Sequence, residues 1–343
     1  MDMPNSGLAR NIRRLARMDL PGGGQVVVQD GYAYIGHMKP PFGTTIVDVR
    51  DPKTPRIAAQ IMLENDFSHT HKVRVAGDLM VTNVEQNRRH FLRKGERLPE
   101  LRAELGPDAS DERLAEALGV EPAQLAELEA ARQRGYGDGG FKVWDISDKT
   151  RPRELVHHRT FGFGTHRFDM DANYAYISTE MEGYLGNILV IYDLKDPEKP
   201  VEVSRWHMPG QHIAAGEKPT WKGYKNRLHH AMRVGDEMWA AVWHAGFRVL
   251  DVSDIAKPRV VASHDYHPPF PEPTHTILPV DGLVAGRRIA VCMDEEHDHV
   301  AGRLHAFLWV FDVTDFNNIT ALSAFDVSEL DSPWARAPGR FGA

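Results

Sequence analysis

Four histidines pose the first chemical question of this 343-residue chain: His71, His166, His230 and His275 each open a short apolar run. Neutral imidazole binds iron, copper, zinc and nickel. Four imidazoles gathered at one point would form a metal centre, and a ring of neutral ligands leaves the ion its positive charge. That favours Fe(II), with Cu or Zn as the other candidates, over Mg or Ca. Fourteen residues after His71 comes Glu85, fourteen after His166 comes Glu180, and fourteen after His230 comes His244. In the last run the turn is longer and Asp294 takes that place. If each run folds as a hairpin, these residues fall opposite the histidines. A ligating His commonly gives its second N–H to a carboxylate, which orients the ring. Glu85, Glu180 and Asp294 are therefore expected to orient three ligands, and His244 to serve as a general acid/base or substrate contact. The competing reading is that these histidines bond only to protein or water. His69, His229 and His37 are expected at the mouth of the same site. Trp221, Tyr224 and Trp243 could line an apolar pocket there, although core packing explains aromatic residues equally well. Of the 18 histidines, His297 and His299 suit a surface ion or solvent, and His90, His157, His158 and His305 need no special role.

The elements that would position these residues are repeats. A β-branched run, an Asp, an apolar residue and a second Asp recur five times, in TTIVDVRDPKTP (44–55), FKVWDISDKTRP (141–152), LVIYDLKDPEKP (189–200), FRVLDVSDIAKP (247–258) and LWVFDVTDFNN (308–318). Alternating Val, Ile, Trp and Phe read as strand, and Asp with Pro reads as a tight turn. A second hairpin precedes each copy, as in HKVRVAGDLMVTNVE (71–85) and HAMRVGDEMWAAVWH (230–244). Two hairpins make a four-stranded unit, and five such units are the pattern of an all-β propeller. The inner strands of a propeller converge on its axis, so equivalent histidines would meet there.

The chain is expected to form one domain over 1–343. Residues 88–135 break the pattern with helical spacing at Leu114 and Leu118 and at Leu125 and Leu128. This helical insertion within the second blade is expected to be a surface decoration, a homo-oligomer contact or a lid. A Gly/Pro loop, 207–228, is the second interruption. The closing PGRFGA (338–343) resembles FGFGTH (161–166), so either five blades close the ring or later blades and their ligands are missing. A net charge of −7, from 41 basic and 48 acidic residues, argues against nucleic acid as a partner. No apolar run is long enough for a membrane span, and no secretory signal is visible. One cysteine, Cys292, allows no internal disulfide and fits a cytoplasmic setting. No phosphate loop, dinucleotide fingerprint or nucleophile elbow occurs.

The motifs ILVIYDLKDPEKP, FRVLDVSDIAKP, GGQVVVQDGYAYIGH and LHHAMRVGDEMWAAVWHAGFRVLDVSD resemble those of LVIVD-repeat β-propeller proteins. This resemblance implies the fold more than an activity. The His/carboxylate pattern is also similar to the four-His, Glu-backed iron site of carotenoid cleavage oxygenases, and to the His-rich propellers of methanethiol oxidase and its selenium-binding relatives, associated with copper. The expected function is a metal-dependent oxidoreductase acting on a small-molecule substrate, with O2 as a candidate co-substrate. The alternatives are a zinc-dependent hydrolase or lyase, and a non-catalytic propeller that binds protein.

Overall fold

The computed structural model describes residues 11–106, 108–222, 225–296 and 304–325. Tyr224, His297, His299 and the 338–343 segment lie outside them. The described chain is a β-propeller of five four-stranded antiparallel blades. Blade one is β1 (Gly23–Gln29), β2 (Tyr32–His37), β3 (Phe42–Asp48) and β4 (Arg56–Met62). Blade two has a broken inner strand, β5 (Ser68–His69) and β6 (Val73–Ala76), then β7 (Leu79–Gln86), β8 (Gly140–Asp145) and β9 (Arg153–Arg159). Blade three is β10 (Phe161–Met170), β11 (Tyr174–Glu180), β12 (Ile188–Asp193) and β13 (Val201–Trp206). Blade four is β14 (His230–Val234), β15 (Glu237–Ala241), β16 (Phe247–Asp251) and β17 (Arg259–His264). Blade five is β18 (Thr274–Pro279), β19 (Ile289–Asp294), β20 (Leu308–Asp312) and β21 (Thr320–Phe325).

The repeated aspartates make the same turn in every blade. The first Asp accepts a bond from the backbone N–H two residues on: Arg50 to Asp48 at 3.1 Å, Ser147 to Asp145 at 2.9 Å, Lys195 to Asp193 at 2.7 Å, Ser253 to Asp251 at 2.9 Å and Thr314 to Asp312 at 3.0 Å. The second Asp of each repeat does likewise over 2.9–3.2 Å. Such a side-chain bond substitutes for a backbone one and fixes the corner locally.

Strand alternation divides the apolar residues between neighbouring blades. Ala175 and Ile177 of β11 pack toward Val81 and Phe141 of blade two, whereas Tyr176 between them packs toward Met238 and Leu250 of blade four. On β15, Trp239 and Ala241 meet Cys292 and Phe311 of blade five. Cys292 is thus a packed core residue, wholly buried. Burying a large apolar side chain contributes about 1.5–3 kcal/mol, so the blade interfaces carry much of the stability.

Between β7 and β8 lie four helices, α1 (Arg89–Leu92), α2 (Leu98–Leu105), α3 (Asp111–Leu118) and α4 (Leu125–Arg134). They have a small core of their own around Leu98, Leu114, Leu118, Leu125 and Leu128. Two arginines of this segment reach into the blades, Arg89 to Glu85 of blade two at 2.6 Å and Arg93 to Glu180 of blade three. No helix among the described residues is long and apolar enough to cross a membrane.

Candidate metal centre

The inner strands deliver histidines to the axis by an irregularity rather than by regular pairing. In blade three, Thr165 pairs with Thr179 and Arg167 with Ser178, so His166 is the extra residue of a β-bulge. In blade five, Thr274 pairs with Asp294 and Thr276 with Met293, so His275 is likewise the extra residue. In blade two, His69 pairs with Glu85 and Val73 with Thr82, leaving one surplus residue in the stretch that holds His71. Bulges re-aim side chains in this way. In blade four β14 runs in regular register from His230 opposite Ala241, and the His229 N–H bonds that same Ala241 carbonyl at 2.9 Å. There His229 lines the central cavity, and His230 Nε2 faces the Phe168 carbonyl at 3.3 Å.

A cavity of about 280 Å³ is lined by His69, His71, Glu85, His166, His229 and Glu295, among others. Glu85, 1% exposed, is its anchor. It accepts bonds from His69 Nε2 at 2.9 Å and His166 Nδ1 at 3.1 Å and pairs with Arg89. Burial pushes its carboxyl up, but the Arg89 guanidinium and the His69 bond outweigh that and hold it below the usual carboxylate range. Glu85 therefore serves the histidine of the next blade as well as one of its own. Gly164 makes that possible. It bridges β10 to Glu85 on β7 at φ +91°, where an added Cβ would come within 2.3 Å of the Val84 carbonyl oxygen.

The other two expected carboxylate partners are engaged elsewhere. A second irregularity, between Phe161 and Thr165, puts Phe161, not a histidine, opposite Glu180, and Arg93 and the Phe163 N–H hold that carboxylate. Asp294 accepts bonds from Tyr266 Oη at 2.5 Å and Trp309 Nε1 at 2.7 Å, and burial pushes its carboxyl up to about 6. The His244 backbone N–H bonds the Lys225 carbonyl, and its ring lies 5.7 Å from that of His267. Trp243 lines the cavity under the Arg227 guanidinium, and Trp221 packs near Gly210 in the 207–228 loop. His37 is tied to Thr45 Oγ1 at 2.7 Å and the Pro21 carbonyl at 2.8 Å within and beside blade one.

The decisive geometry is a pair of imidazoles. His166 Nδ1 faces the ionised Glu85 and His229 Nδ1 faces the His275 carbonyl at 2.7 Å. Both partners only accept, so each Nδ1 carries the proton and each Nε2 keeps a bare lone pair. These two Nε2 atoms face each other at 3.0 Å. Lone pairs that close repel unless a cation lies between them. A proton is poorly held, because burial, with Arg89 beside His166 and His275 beside His229, lowers both rings well below ordinary histidine values. Two nitrogens bound to one ion at about 2.1 Å each lie roughly 3.0–3.4 Å apart, which matches. Glu295 Oε2 lies 3.9 Å from His229 Nε2, buried and with no hydrogen-bond partner. His229, His275 and Glu295 form one group able to hold a metal ion, and His69, His71 and Glu85 another. His71 Nδ1 accepts from Asn83 Nδ2 at 3.3 Å, so its N–H is on Nε2, 3.9 Å from Glu85. Asn83 is oriented by the Lys72 N–H at its Oδ1 and the Thr165 carbonyl at its Nδ2.

Nothing in the sequence marked Glu295, whereas His229 was expected at the mouth of the site and lines the cavity, as His69 does. The Gly-x-Gly before His166 was the available signal for the close β7–β10 approach.

The LVIVD repeat model matches residues 23–62 and 235–265. No curated protein matches the chain. Among solved structures, the computationally designed Ika8 protein aligns at 9% identity and TM-score 0.49, covering 90% of this chain and 62% of that one. Sqt1 of Saccharomyces cerevisiae aligns at 8% identity and TM-score 0.49, covering 91% and 62%. A europium-containing methanol dehydrogenase aligns at 10% identity and TM-score 0.48, covering 91% and 52%. The chain thus spans less than two thirds of the length of these three.

Proposed function

We propose that this propeller is a metal-dependent oxidoreductase of oxygenase or oxidase type, holding one ion between His166 Nε2 and His229 Nε2 with Glu295 as an oxygen ligand. The observation that carries the reading is the pair of facing lone pairs 3.0 Å apart. Two histidines and a carboxylate with open positions suit non-haem Fe(II), with Cu or Zn as alternatives. A redox ion bound there would supply Lewis acidity and electron transfer toward O2 and a small organic substrate. The protein residues do the rest. Glu85 and the His275 carbonyl fix the tautomers of the two ligands. His71 directs its N–H toward Glu85. Arg89 balances the Glu85 charge and ties the helical insertion to the cavity's rim. The insertion then acts as a lid that limits water at the centre. Lys72, pushed down to about 7 by burial and by Arg167, lines the same cavity and can take or give a proton near neutral pH. It suits the general acid/base role better than His244, which does not line the cavity.

Purified protein, stripped and reconstituted anaerobically, should bind one equivalent of metal by elemental analysis. H166A and H229A should lose it and H230A should keep it. No stoichiometric metal in the unaltered protein would sink the reading. Tight binding of zinc alone would replace oxidation with hydrolytic or lyase chemistry.

A further inference from the structure

Beside the metal-centre cavity lies a second one of about 340 Å³, which shares Arg89, His90 and Trp243 with it. Its lining is strongly cationic for a chain of net charge −7: Arg89, Arg93, Lys94, Arg97, Lys225 and Arg227 surround it, with Glu96 as the carboxylate. Three of the six cations are spoken for, Arg89 by Glu85, Arg93 by Glu180 and Lys94 by the Gly119 carbonyl. Arg227 is different. It is 6% exposed, its guanidinium lies 3.6 Å over the Trp243 ring, and it makes no hydrogen bond or ion pair to a described residue. A buried guanidinium without an acceptor is costly, and its planar fork matches phosphate and carboxylate oxygens. Arg97 and Lys225, both exposed and likewise without an acid partner among the described residues, stand at the same cavity. Deeper in, Arg167 donates to His275 Nε2 at 2.7 Å, and its buried Nε has no partner.

We propose that this vestibule binds an oxyanion, and that the substrate is a small molecule with a phosphate or carboxylate group held by Arg227, Arg97 and Lys225, its other end entering the metal cavity past Trp243. In taking the anion to be substrate the inference rests on the proposed function; anion binding itself does not.

Isothermal titration of metal-free full-length protein with pyrophosphate and, separately, succinate tests it. At least one should bind, and the tighter of the two identifies the head group as phosphate or carboxylate. R227Q should weaken that binding about tenfold or more. The surface double variant R97Q/K225Q, which alters no buried contact, should weaken it several-fold with unchanged folding. Silence toward both anions in the metal-free protein overturns the inference, as does unchanged affinity in both variants. Binding seen only after metal loading also overturns it while leaving the metal reading intact. Arg227-dependent anion binding by a protein that takes up no metal sustains the vestibule and sinks the metal reading.

Discussion

The outer turns and the inner strands of this propeller use repeated residues in opposite ways. At the outer turns the same aspartate does one job five times, with bond lengths spanning only 2.7–3.1 Å. At the inner strands the same histidine position leads to four environments. His71 accepts from Asn83, His166 meets Glu85 and His229, His230 faces a backbone carbonyl, and His275 meets Arg167 and Thr276. The turn is closed within a few residues, so sequence identity gives structural identity. The inner strand is finished by bulges and by the neighbouring blade, so equal positions diverge.

The largest expected effect that sharpens this contrast is at Glu85. Glu85→Ala would leave Arg89, itself 5% exposed, as an uncompensated buried charge. Denaturant unfolding should show a loss of about 3–5 kcal/mol. Gly164→Ala should come next. It places a Cβ against the Val84 carbonyl at a φ unsuited to L residues, at a cost of about 1–3 kcal/mol, and it should also lower metal affinity by separating Glu85 from His166. The milder Glu85→Gln should keep the fold but weaken metal binding about 10–100-fold in competition with a chelator.

Acidification acts on the same region. Burial lowers His71, His166, His229 and His230 well below ordinary histidine, and His275 to about 3. The unfolded chain takes up protons on these rings below about pH 6.5 and the folded chain does not. Stability is therefore full above that pH and falls as pH drops, by up to about 1.4 kcal/mol per unit for each ring. Asp294 has the opposite sign, since its folded carboxyl, at about 6, takes a proton before its unfolded counterpart and gains stability as pH falls through 6. One carboxyl does not offset five rings, so the urea midpoint of metal-free protein should drop between pH 7.5 and 5.5. The smallest effect belongs to the turns. Asp145→Asn or Asp251→Asn should lower Tm by only about 2–4 °C and leave metal content unchanged. A turn variant that lost metal as readily as Glu85→Gln would break the comparison.

What the sequence made legible follows the same division. The five outer hairpins were readable because period-two alternation and an Asp-closed corner are local. The helical insertion's leucines were readable at helical spacing. Glu85 was readable as the acid facing an inner-strand histidine, and the structure gives it His69 and His166. The choice of His229 over His230 was not readable, because it depends on contacts with the neighbouring blade: His229 Nε2 faces His166, and His230 Nε2 faces the Phe168 carbonyl. Nor were the partners of Glu180 and Asp294, because a register irregularity between Phe161 and Thr165 and the hydroxyl of Tyr266 decide them.

The sequence by itself determined a five-fold repeat of four-stranded blades, its corners, and the inner strands as the place where histidines gather. Only the tertiary structure decided which of them meet. The reason is physical: a turn is closed by bonds between residues two or three apart, whereas the facing Nε2 atoms of His166 and His229 come from different blades. Their approach is set by bulge phase, by a glycine that admits a neighbouring strand, and by a carboxylate shared across the blade boundary.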